Sequence, residues 1–257
     1  IFSDGGPGCR WVGNERGFAG ATNWSFLRAG EVFPGYSKHY ILQYGHADGN
    51  QWVPAECDVS IRPGWFYHPE QDGHVKTVEQ LTDLYYRSVG HNATLLLNFP
   101  VDRNGLVHPI DSANAVNFRK NIDKQLADNL LKKIVPTVSD ERGGRFRAKA
   151  ITDGKYDTYW AAHDSVLTAT IEFALPQATK VNRMMLQEYI PLGQRVKSFT
   201  VEYDKDGAWL PVKLNEETGV VYLFFKDSAT GENGVFDPGS NSVGGSVEGK
   251  GNIGLQV

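Results

Sequence analysis

The sequence changes character near residue 135, and this change limits the folds that the chain can adopt. Before it, short apolar segments alternate with polar loops and helical patterns, which is typical of βα units. We therefore predict a first domain over residues 1–134 with βα units and a second over 135–257 that is an antiparallel β-sandwich. The second prediction rests on short strand-like segments separated by turn formers, without a helical pattern: 167–174, 180–187, 197–203 and 208–214. No function is predicted for residues 215–257.

Local patterns in the first domain predict a covered parallel sheet with helices. The run 93–98 is apolar on both faces, as expected of a parallel strand that lies under helices. Thr77 and Gln80 are spaced as a capping box, so a helix is predicted from Thr77 to Gly90. Its apolar stripe has helical spacing: Val78, Leu81, Leu84, Tyr85 and Val89. A second helix is predicted over 112–132, with the apolar residues Val116, Ile122, Leu126 and Leu130.

Composition excludes several classes of protein. The chain has 26 Lys and Arg against 30 Asp and Glu and no basic stripe, so nucleic-acid binding is not expected. No run of 18 apolar residues occurs, so no membrane span is predicted. Cys9 and Cys57 are too few for a disulfide scaffold, although one bridge between them stays open. The segments 23–25 and 92–94 match the N-glycosylation acceptor pattern, which is short and therefore weak evidence.

Charged and aromatic residues are concentrated in the loops of the first domain. Glycoside hydrolysis needs two carboxyl groups around the scissile bond, with aromatic faces against the sugar and polar side chains on its hydroxyls. The loops hold such residue types: Glu15, His46, Trp52, Glu56, Arg62 and Trp65. The nucleophile elbow of serine hydrolases, the phosphate-binding loop and the H-E-x-x-H zinc motif are all missing from the sequence. Sugar chemistry is therefore permitted by the residue types but not identified by them.

Three motifs resemble one enzyme family. Together they cover most of residues 1–125 and resemble the α-L-fucosidases of glycoside hydrolase family 29: SDGGPGCRWVGNERG (3–17), WVPAECDVSIRPGWFYH (52–68) and SVGHNATLLLNFPVDRNGL (88–106). The resemblance implies a (β/α)8-like catalytic barrel and retaining exo-hydrolysis of terminal L-fucose. It is strongest to the branch that acts on α-1,3/1,4 linkages. Fucosylated oligosaccharides or glycoconjugates are the implied substrates, and such substrates indicate a periplasmic or extracellular location.

The resemblance also indicates which part of the catalytic barrel this chain contains. A complete barrel takes about 250 residues, whereas about 130 here read as βα units. We therefore expect the later half of a barrel, which an upstream segment must complete. The family's nucleophile is an aspartate upstream of these motifs and is not expected in this chain; Asp4 matches a different motif. If that upstream position lacks an aspartate, the scaffold is instead a non-catalytic, lectin-like glycan-binding protein.

By resemblance, Glu15 of the W-V-G-N-E motif is the general acid/base. The alternative is an exposed loop glutamate paired with Arg16. Glu56 is the rival acid/base, because branches of the family draw that residue from different loops. It is expected instead to accept a hydroxyl in the adjoining sugar subsite, with a salt bridge to Arg62 as the alternative. No cofactor is expected for catalysis.

The remaining site residues have alternatives of their own. Trp65, together with Arg62, resembles the wall near the fucose ring, and core packing is the alternative for it. Trp52 is a candidate platform for the next sugar, and His46 is either a hydroxyl ligand or a solvated loop histidine. Asn98 is expected to brace the barrel mouth.

The second domain carries a separate resemblance. Its segment AITDGKYDTYW (150–160) is similar to the opening of discoidin-like (coagulation factor 5/8 type C) carbohydrate-binding modules, which have a jelly-roll fold. That motif often surrounds a structural Ca²⁺, which oxygen ligands hold. Asp153, Asp157 and Thr158 are the candidate ligands, and a plain Asp-Gly turn is the alternative.

Overall fold

The computed structural model describes residues 1–179, 181, 183–192 and 194–212, together with the backbone of two strands further on. These residues form two compact units, of which the first comprises Ile1–Asp128 and the second begins at Asn129. No helix among the described residues is long and apolar enough to cross a membrane.

The first unit is built on a parallel sheet, as the apolar run at 93–98 predicts, but this strand is not covered on both faces among the described residues, because Leu96 is exposed. Its strands in chain order are β1 (Phe2–Ser3), β2 (Cys9–Trp11), β3 (Phe26–Leu27), β4 (Gln51–Trp52), β5 (Ala55–Ser60) and β6 (Ala93–Asn98). The sheet has the order β1-β2-β5-β6 with every pair parallel, and β3 and β4 form a separate antiparallel ribbon. The helices are α1 (His39–Leu42), α2 (Val78–Ser88) and α3 (Pro109–Gln125), with 3-10 turns at Pro69–His74 and Val89–His91.

The two faces of this sheet differ. On β5, Ala55, Cys57 and Val59 are buried on one face, and Glu56 and Asp58 alternate with them on the other. Register places Trp11 beside Glu56 and Leu96 beside Asp58, so these side chains share the second face. Leu96 is 43% exposed there. The first face is therefore the apolar core of the unit, and the second face is open and polar.

Helix α2 confirms its sequence prediction. Thr77 Oγ1 accepts a hydrogen bond from the Gln80 backbone N–H, and the Gln80 side chain accepts one from the Thr77 backbone N–H. Leu81 and Leu84 are buried as expected, but Tyr86 is more buried than Tyr85, and Val89 at the end of the expected stripe is exposed.

Helix α3 is shorter than predicted and begins earlier. It ends at Gln125 rather than near residue 132, because Asn129 Oδ1 accepts the backbone N–H of Leu131 and stabilises a turn instead. Of its expected apolar stripe only Ile122 is buried; Val116, Leu126 and Leu130 are exposed.

Strand β2 has no counterpart among the strands predicted from the sequence. A three-residue strand with arginine at its centre carries no alternation signal. Arg10 is fully buried and donates to Leu42 O (2.8 Å), Val53 O (2.5 Å) and Asn23 Oδ1. Burial lowers the pKa of Arg10 to about 10. These hydrogen bonds compensate for removing the guanidinium from water.

The second unit contains antiparallel sheets, as predicted, but residues 183–186 of the predicted strand 180–187 lie outside any strand, and only Gln187 of that segment belongs to one. Its strands are β7 (Thr137–Val138), β8 (Trp160–Ala161), β9 (Thr168–Ala174), β10 (Gln187–Glu188), β11 (Val196–Phe199), β12 (Glu202–Lys205), β13 (Ala208–Pro211), β14 (Ser242–Gly249) and β15 (Gly254–Gln256). The larger sheet has the order β13-β12-β14-β9-β7 with β11 also on β14, and the smaller sheet has the order β10-β15-β8. The segment 197–203 divides into two strands, and residues 213–241, which include the end of the predicted strand 208–214, lie outside the described part.

A core joins the two sheets of this unit. Ala169, Ile171 and Phe173 alternate on the buried face of β9 and pack in one cluster with Trp160 of the smaller sheet. The indole Nε1 of Trp160 donates to Asp140 O over 3.1 Å, so its one polar group is satisfied inside the core.

Candidate active site

The carboxyl ends of β2 and β5 lie at one edge of the parallel sheet, and the loops that follow them carry the candidate site. Parallel strands bring such loops together, which is why ligand sites collect at this edge. Glu15 lies four residues after the end of β2, and Trp65 lies five residues after the end of β5. The indole Nε1 of Trp65 donates a hydrogen bond to Glu15 Oε2 over 3.0 Å. The fold thus places the predicted acid/base against the predicted wall residue.

The loop that holds Glu15 is fixed on both sides of it. Asn14 Nδ2 donates to Phe18 O, and Asn14 Oδ1 accepts the Arg16 backbone N–H, each over 3.0 Å. Gly17 has a φ of +79°, and a Cβ there would lie 2.7 Å from Val59 Cγ1. Glu15 itself is exposed. The Arg16 guanidinium lies over the Phe18 ring, and in the described residues it forms no ion pair with Glu15, contrary to the alternative interpretation.

Trp65 is half-buried and lies in a loop that β6 supports. Asn98 at the end of β6 donates from Nδ2 to Trp65 O and to Ser60 Oγ, each over 3.1 Å. Asn98 therefore braces the loop rather than offering a reactive group, in line with its sequence interpretation. The arrangement leaves the indole N–H directed at Glu15.

Arg62 requires a correction. Its side chain is completely buried, with Nε and Nη2 donating to the two carboxylate oxygens of Asp111 (2.8 and 2.9 Å) and Nη1 donating to Asp72 (2.8 Å). The guanidinium also lies over the Tyr67 ring. A buried side chain with these partners cannot touch a sugar, so the expected contact with the fucose ring is not made. Arg62 instead ties the Trp65 loop to helix α3.

Glu56 is half-buried on the open face and is not paired with Arg62. Among the described residues, the side chain that contacts its carboxylate is Cys9, whose Sγ lies 3.8 Å from Glu56 Oε2. Burial, with a further contribution from the Glu56 charge, raises the pKa of the Cys9 thiol. Cys9 and Cys57 are both free, so they form no disulfide. Glu56 therefore keeps a carboxylate oxygen available on the face that leads to the Glu15 loop.

Asp58 is a site residue to which the sequence analysis gave no role. It follows Glu56 on the same face of β5 and accepts a hydrogen bond from Trp11 Nε1 over 2.8 Å. Burial raises the pKa of Asp58, and the nearby charge of Glu15 adds to the rise. The signal in the sequence was the alternation Glu56-Cys57-Asp58, which places two carboxyl groups on one strand face.

Trp52 lies in strand β4, and His46 lies in the connection between β3 and β4, so neither belongs to the loops that hold Glu15 and Trp65. Trp52 is 40% exposed and packs edge-on against Phe26, with 5.1 Å between ring centroids. Part of its indole is therefore accessible, as a sugar platform requires. His46 Nδ1 accepts the Arg28 backbone N–H over 3.3 Å, and Nε2 faces Glu31 at 3.9 Å. Burial lowers the pKa of His46, so this geometry favours a neutral structural imidazole over a hydroxyl ligand.

In the second unit, the candidate calcium residues form a local turn. Asp153 Oδ1 accepts the Lys155 backbone N–H and the Thr158 hydroxyl, each over 2.9 Å. Asp157 is exposed. Among the described residues, no group of three or more His, Cys, Asp and Glu side chains is arranged to hold a metal ion. Oxygen atoms that could hold Ca²⁺ at 153–158 also include a hydroxyl and backbone carbonyls, which do not belong to these four side-chain types. The calcium site therefore stays a prediction.

Comparison with known proteins identifies relatives of both units. Residues 136–233 match the F5/8 type C domain family. Alpha-L-fucosidase 1 of Arabidopsis thaliana is 37% identical over 216 residues, which are 81% of this chain and 41% of that protein. The chain is a homologue of family 29 α-L-fucosidases.

Solved structures extend this similarity to the fold. A Bacteroides thetaiotaomicron protein, provisionally named an alpha-L-fucosidase, has a TM-score of 0.86 at 34% identity, over 97% of this chain and 53% of that one. A Ruminococcus gnavus GH29 fucosidase in complex with fucose has a TM-score of 0.82 at 28% identity, over 97% of this chain and 49% of that one. The chain therefore spans about half the length of these relatives.

Proposed function

We propose that this chain is part of a retaining exo-α-L-fucosidase that removes terminal α-1,3/1,4-linked L-fucose from oligosaccharides or glycoconjugates. The observation that carries the proposal is the contact between Trp65 Nε1 and Glu15 Oε2 at the carboxyl edge of the sheet in a homologue of these enzymes. The contact holds one carboxyl group beside an indole at the place where barrel enzymes bind their substrates.

In the proposed mechanism, Glu15 protonates the glycosidic oxygen as the bond to the leaving sugar breaks. It then takes a proton from the water that attacks the fucosyl-enzyme ester, so one residue serves both steps. The indole N–H of Trp65 orients the carboxyl group and stabilises its charged form after the proton has left. The carboxylate that forms the ester is proposed to come from a preceding segment, which also completes a (β/α)8-like barrel with residues 1–134.

The rest of the chain has proposed supporting roles. Glu56 and Trp52 are proposed to contact the sugar next to fucose, since Glu56 lies on the open sheet face and Trp52 offers an exposed indole. The domain at 135–257 is proposed to bind carbohydrate, supported by its F5/8 type C match, with a structural Ca²⁺ at Asp153, Asp157 and Thr158. A periplasmic or extracellular location follows from the substrate class.

The test of this proposal is turnover by the full-length protein and its Glu15→Ala variant. We expect the wild type to release fucose from Lewis-type oligosaccharides with retained configuration. Glu15→Ala should lose about 10²–10⁴-fold in kcat/KM on these glycans. Aryl fucosides with good leaving groups need little acid assistance. With them, the rate of the first step, in which the fucosyl-enzyme ester forms, should fall far less.

Azide provides a second readout and a control. The small anion needs no general base, so it should accelerate turnover of an aryl fucoside by Glu15→Ala and give a fucosyl azide of retained configuration. Glu70→Gln, at an exposed carboxylate on a neighbouring turn, should behave as wild type. Glycan binding without turnover by the wild-type protein would instead support the lectin-like function, and near-normal activity of Glu15→Ala would overturn the assignment of Glu15.

A further inference from the structure

Phe18 lies in the loop that carries the candidate acid/base, and the function proposed above gives it no role. It follows Glu15 by three residues, and its ring is half-buried, whereas its chain neighbours Gly17 and Ala19 are buried. A phenyl ring holds no proton that acid–base chemistry could use. Any part that Phe18 takes in the reaction must therefore act through the position of its loop.

Two guanidinium groups pack on the ring of Phe18. Arg16 Cζ, in the same loop, lies 4.7 Å from the ring centroid, and Arg87 Cζ, in the last turn of α2, lies 4.2 Å from it. A cation within about 6 Å of a ring centroid is attracted by the ring, and a guanidinium group also stacks on it. Next to these contacts, the backbone N–H of Ala19 donates to Arg87 O over 3.0 Å. Side chains and backbone thus join this loop to the end of α2.

The carbonyl group of Phe18 connects it with both chain neighbours of Glu15. Asn14 Nδ2 donates to Phe18 O, and Asn14 Oδ1 accepts the backbone N–H of Arg16, each over 3.0 Å. Asn14 is buried, so water competes little for these hydrogen bonds. An unbroken set of contacts therefore runs from α2 through Phe18 to the two residues that flank Glu15.

The carboxyl group of Glu15 depends on this support. Glu15 is exposed, and among the described residues Trp65 Nε1 is the one group that donates to its carboxylate, over 3.0 Å. Because packing does not hold an exposed side chain, the loop backbone sets where the carboxyl group can reach. A proton donor acts only within hydrogen-bond distance of its target, and a displacement of about 1 Å can cost about 10²-fold in rate.

Resting on the proposed fucosidase function, we propose that Phe18 is a positioning residue for Glu15. Its ring, held by Arg16 and Arg87, anchors residues 14–18 to α2 and keeps the Glu15 carboxyl group within reach of the glycosidic oxygen. The contact acts on proton transfer to the leaving sugar and not on substrate binding.

The experiment compares the full-length wild type with Phe18→Leu on substrates that need different amounts of acid assistance. We expect kcat/KM to fall by about 5- to 20-fold on a Lewis-type glycan but by less than about 2-fold on an activated aryl fucoside, at an unchanged KM. Across a series of aryl fucosides, kcat/KM should decrease more steeply with the basicity of the leaving phenol. A ring needed only for folding would reduce the amount of active enzyme and lower both rates by the same factor.

A second variant tests the contact with α2 alone. Arg87→Met removes one of the two guanidinium groups from the ring, so the same selective loss on the glycan should appear at about 2- to 5-fold. If Phe18→Leu does not fold, as thermal unfolding would show, Arg87→Met decides the matter, because the Arg87 side chain is 37% exposed and its truncation leaves the core intact.

Two further variants are the controls. Asp83→Asn removes the 3.5 Å ion pair between Asp83 and Arg87 but leaves Arg87 on the Phe18 ring. Arg145→Met removes a comparable contact at 4.9 Å from the Phe146 ring in the second unit. Both should keep the wild-type ratio of the two rates, and an equal selective loss in either control would overturn the role of the Phe18 ring.

Two failures are distinguishable. A wild-type protein without fucosidase activity would overturn the proposed function itself. An active wild type whose Phe18→Leu variant, or Arg87→Met where that variant decides, loses activity equally on both substrates or on neither would leave the fucosidase assignment intact and overturn the role of Phe18.

Discussion

The indole N–H of Trp65 donates to Glu15 Oε2 across a sequence separation of 50 residues. The two residues lie in loops that follow different strands, and neither loop alone fixes the carboxyl group in this orientation. Asn98 holds the Trp65 loop from a third strand. Three neighbouring parallel strands therefore determine the direction in which the candidate acid points.

This contact leads to a first prediction, for Trp65→Phe. The variant keeps the aromatic ring but removes the donor, and a hydrogen bond to a charged group contributes about 1.5–3 kcal/mol. We expect kcat/KM on natural glycans to fall by about 10- to 100-fold, with most of the loss in kcat. Steady-state kinetics with a Lewis-type glycan measures this. Phe66→Leu, at the exposed neighbouring residue, is the control, and an equal loss in both variants would contradict the role of the hydrogen bond.

The buried pair of Arg62 and Asp111 leads to a second prediction. Arg62→Met leaves the buried Asp111 carboxylate without its partner, so the free energy of unfolding should fall by about 3–5 kcal/mol. The double variant Arg62→Met/Asp111→Leu removes both charges and should recover a large part of this loss. Chemical denaturation monitored by tryptophan fluorescence measures each variant.

An exposed Arg–Asp pair provides the matched control for the Arg62 and Asp111 variants. Arg119 and Asp123 on α3 make a similar contact at 2.9 Å, but both side chains are in solvent. Arg119→Met should change the free energy of unfolding by at most about 0.5 kcal/mol. Equal effects at the two arginines would show that burial is not what makes Arg62 important.

A third prediction concerns the thiol of Cys57. Burial raises its pKa to about 12 from an ordinary 9.0. In a Cys9→Ser variant, peptide mass spectrometry after treatment with a disulfide reagent at pH 8 should find Cys57 unlabelled in the folded protein and labelled in denaturant. The unfolded chain releases this proton first as the pH rises, so the thiol lowers stability progressively between pH 9 and 12. Rapid labelling of the folded variant would contradict the burial of this side chain.

A fourth prediction concerns the two acceptor patterns for N-glycosylation. The Asn23 amide is 1% exposed and donates to His91 O and Asn92 O, and Asn92 Nδ2 donates back to Asn23 O. A glycan at either position would break these contacts. In folded protein secreted by a glycosylating host, the peptides that contain Asn23 and Asn92 should therefore show no mass change after enzymatic deglycosylation. As a positive control, Leu106→Thr creates an acceptor pattern at the exposed Asn104, and this variant should lose mass.

Some parts of the fold follow from local sequence. The capping box of Thr77 and Gln80 defines the start of α2 because both partners lie within one helical turn. Strand β6 follows from a run that is apolar on both faces, and β9 from alternation over 168–174. The end of α3 was misjudged because an apolar spacing continues past Gln125, while the turn at Asn129 is stabilised by a single side-chain hydrogen bond.

By itself, the sequence determined the division into a βα part and a β-only part, the family resemblance and the candidate Glu15. The tertiary structure decided what each charged side chain does. Arg10, Asp58 and Arg62 find partners 32, 47 and 49 residues away, so their burial depends on which strands become neighbours. Arg62 resembled a sugar ligand in the sequence but is buried and bound to Asp111 of α3, whereas Asp58 had no predicted role and accepts a hydrogen bond from Trp11 Nε1 on the open sheet face. The reason is physical: the cost of burying a charge, and its protonation, are set by neighbours in space, which residue spacing along the chain does not specify.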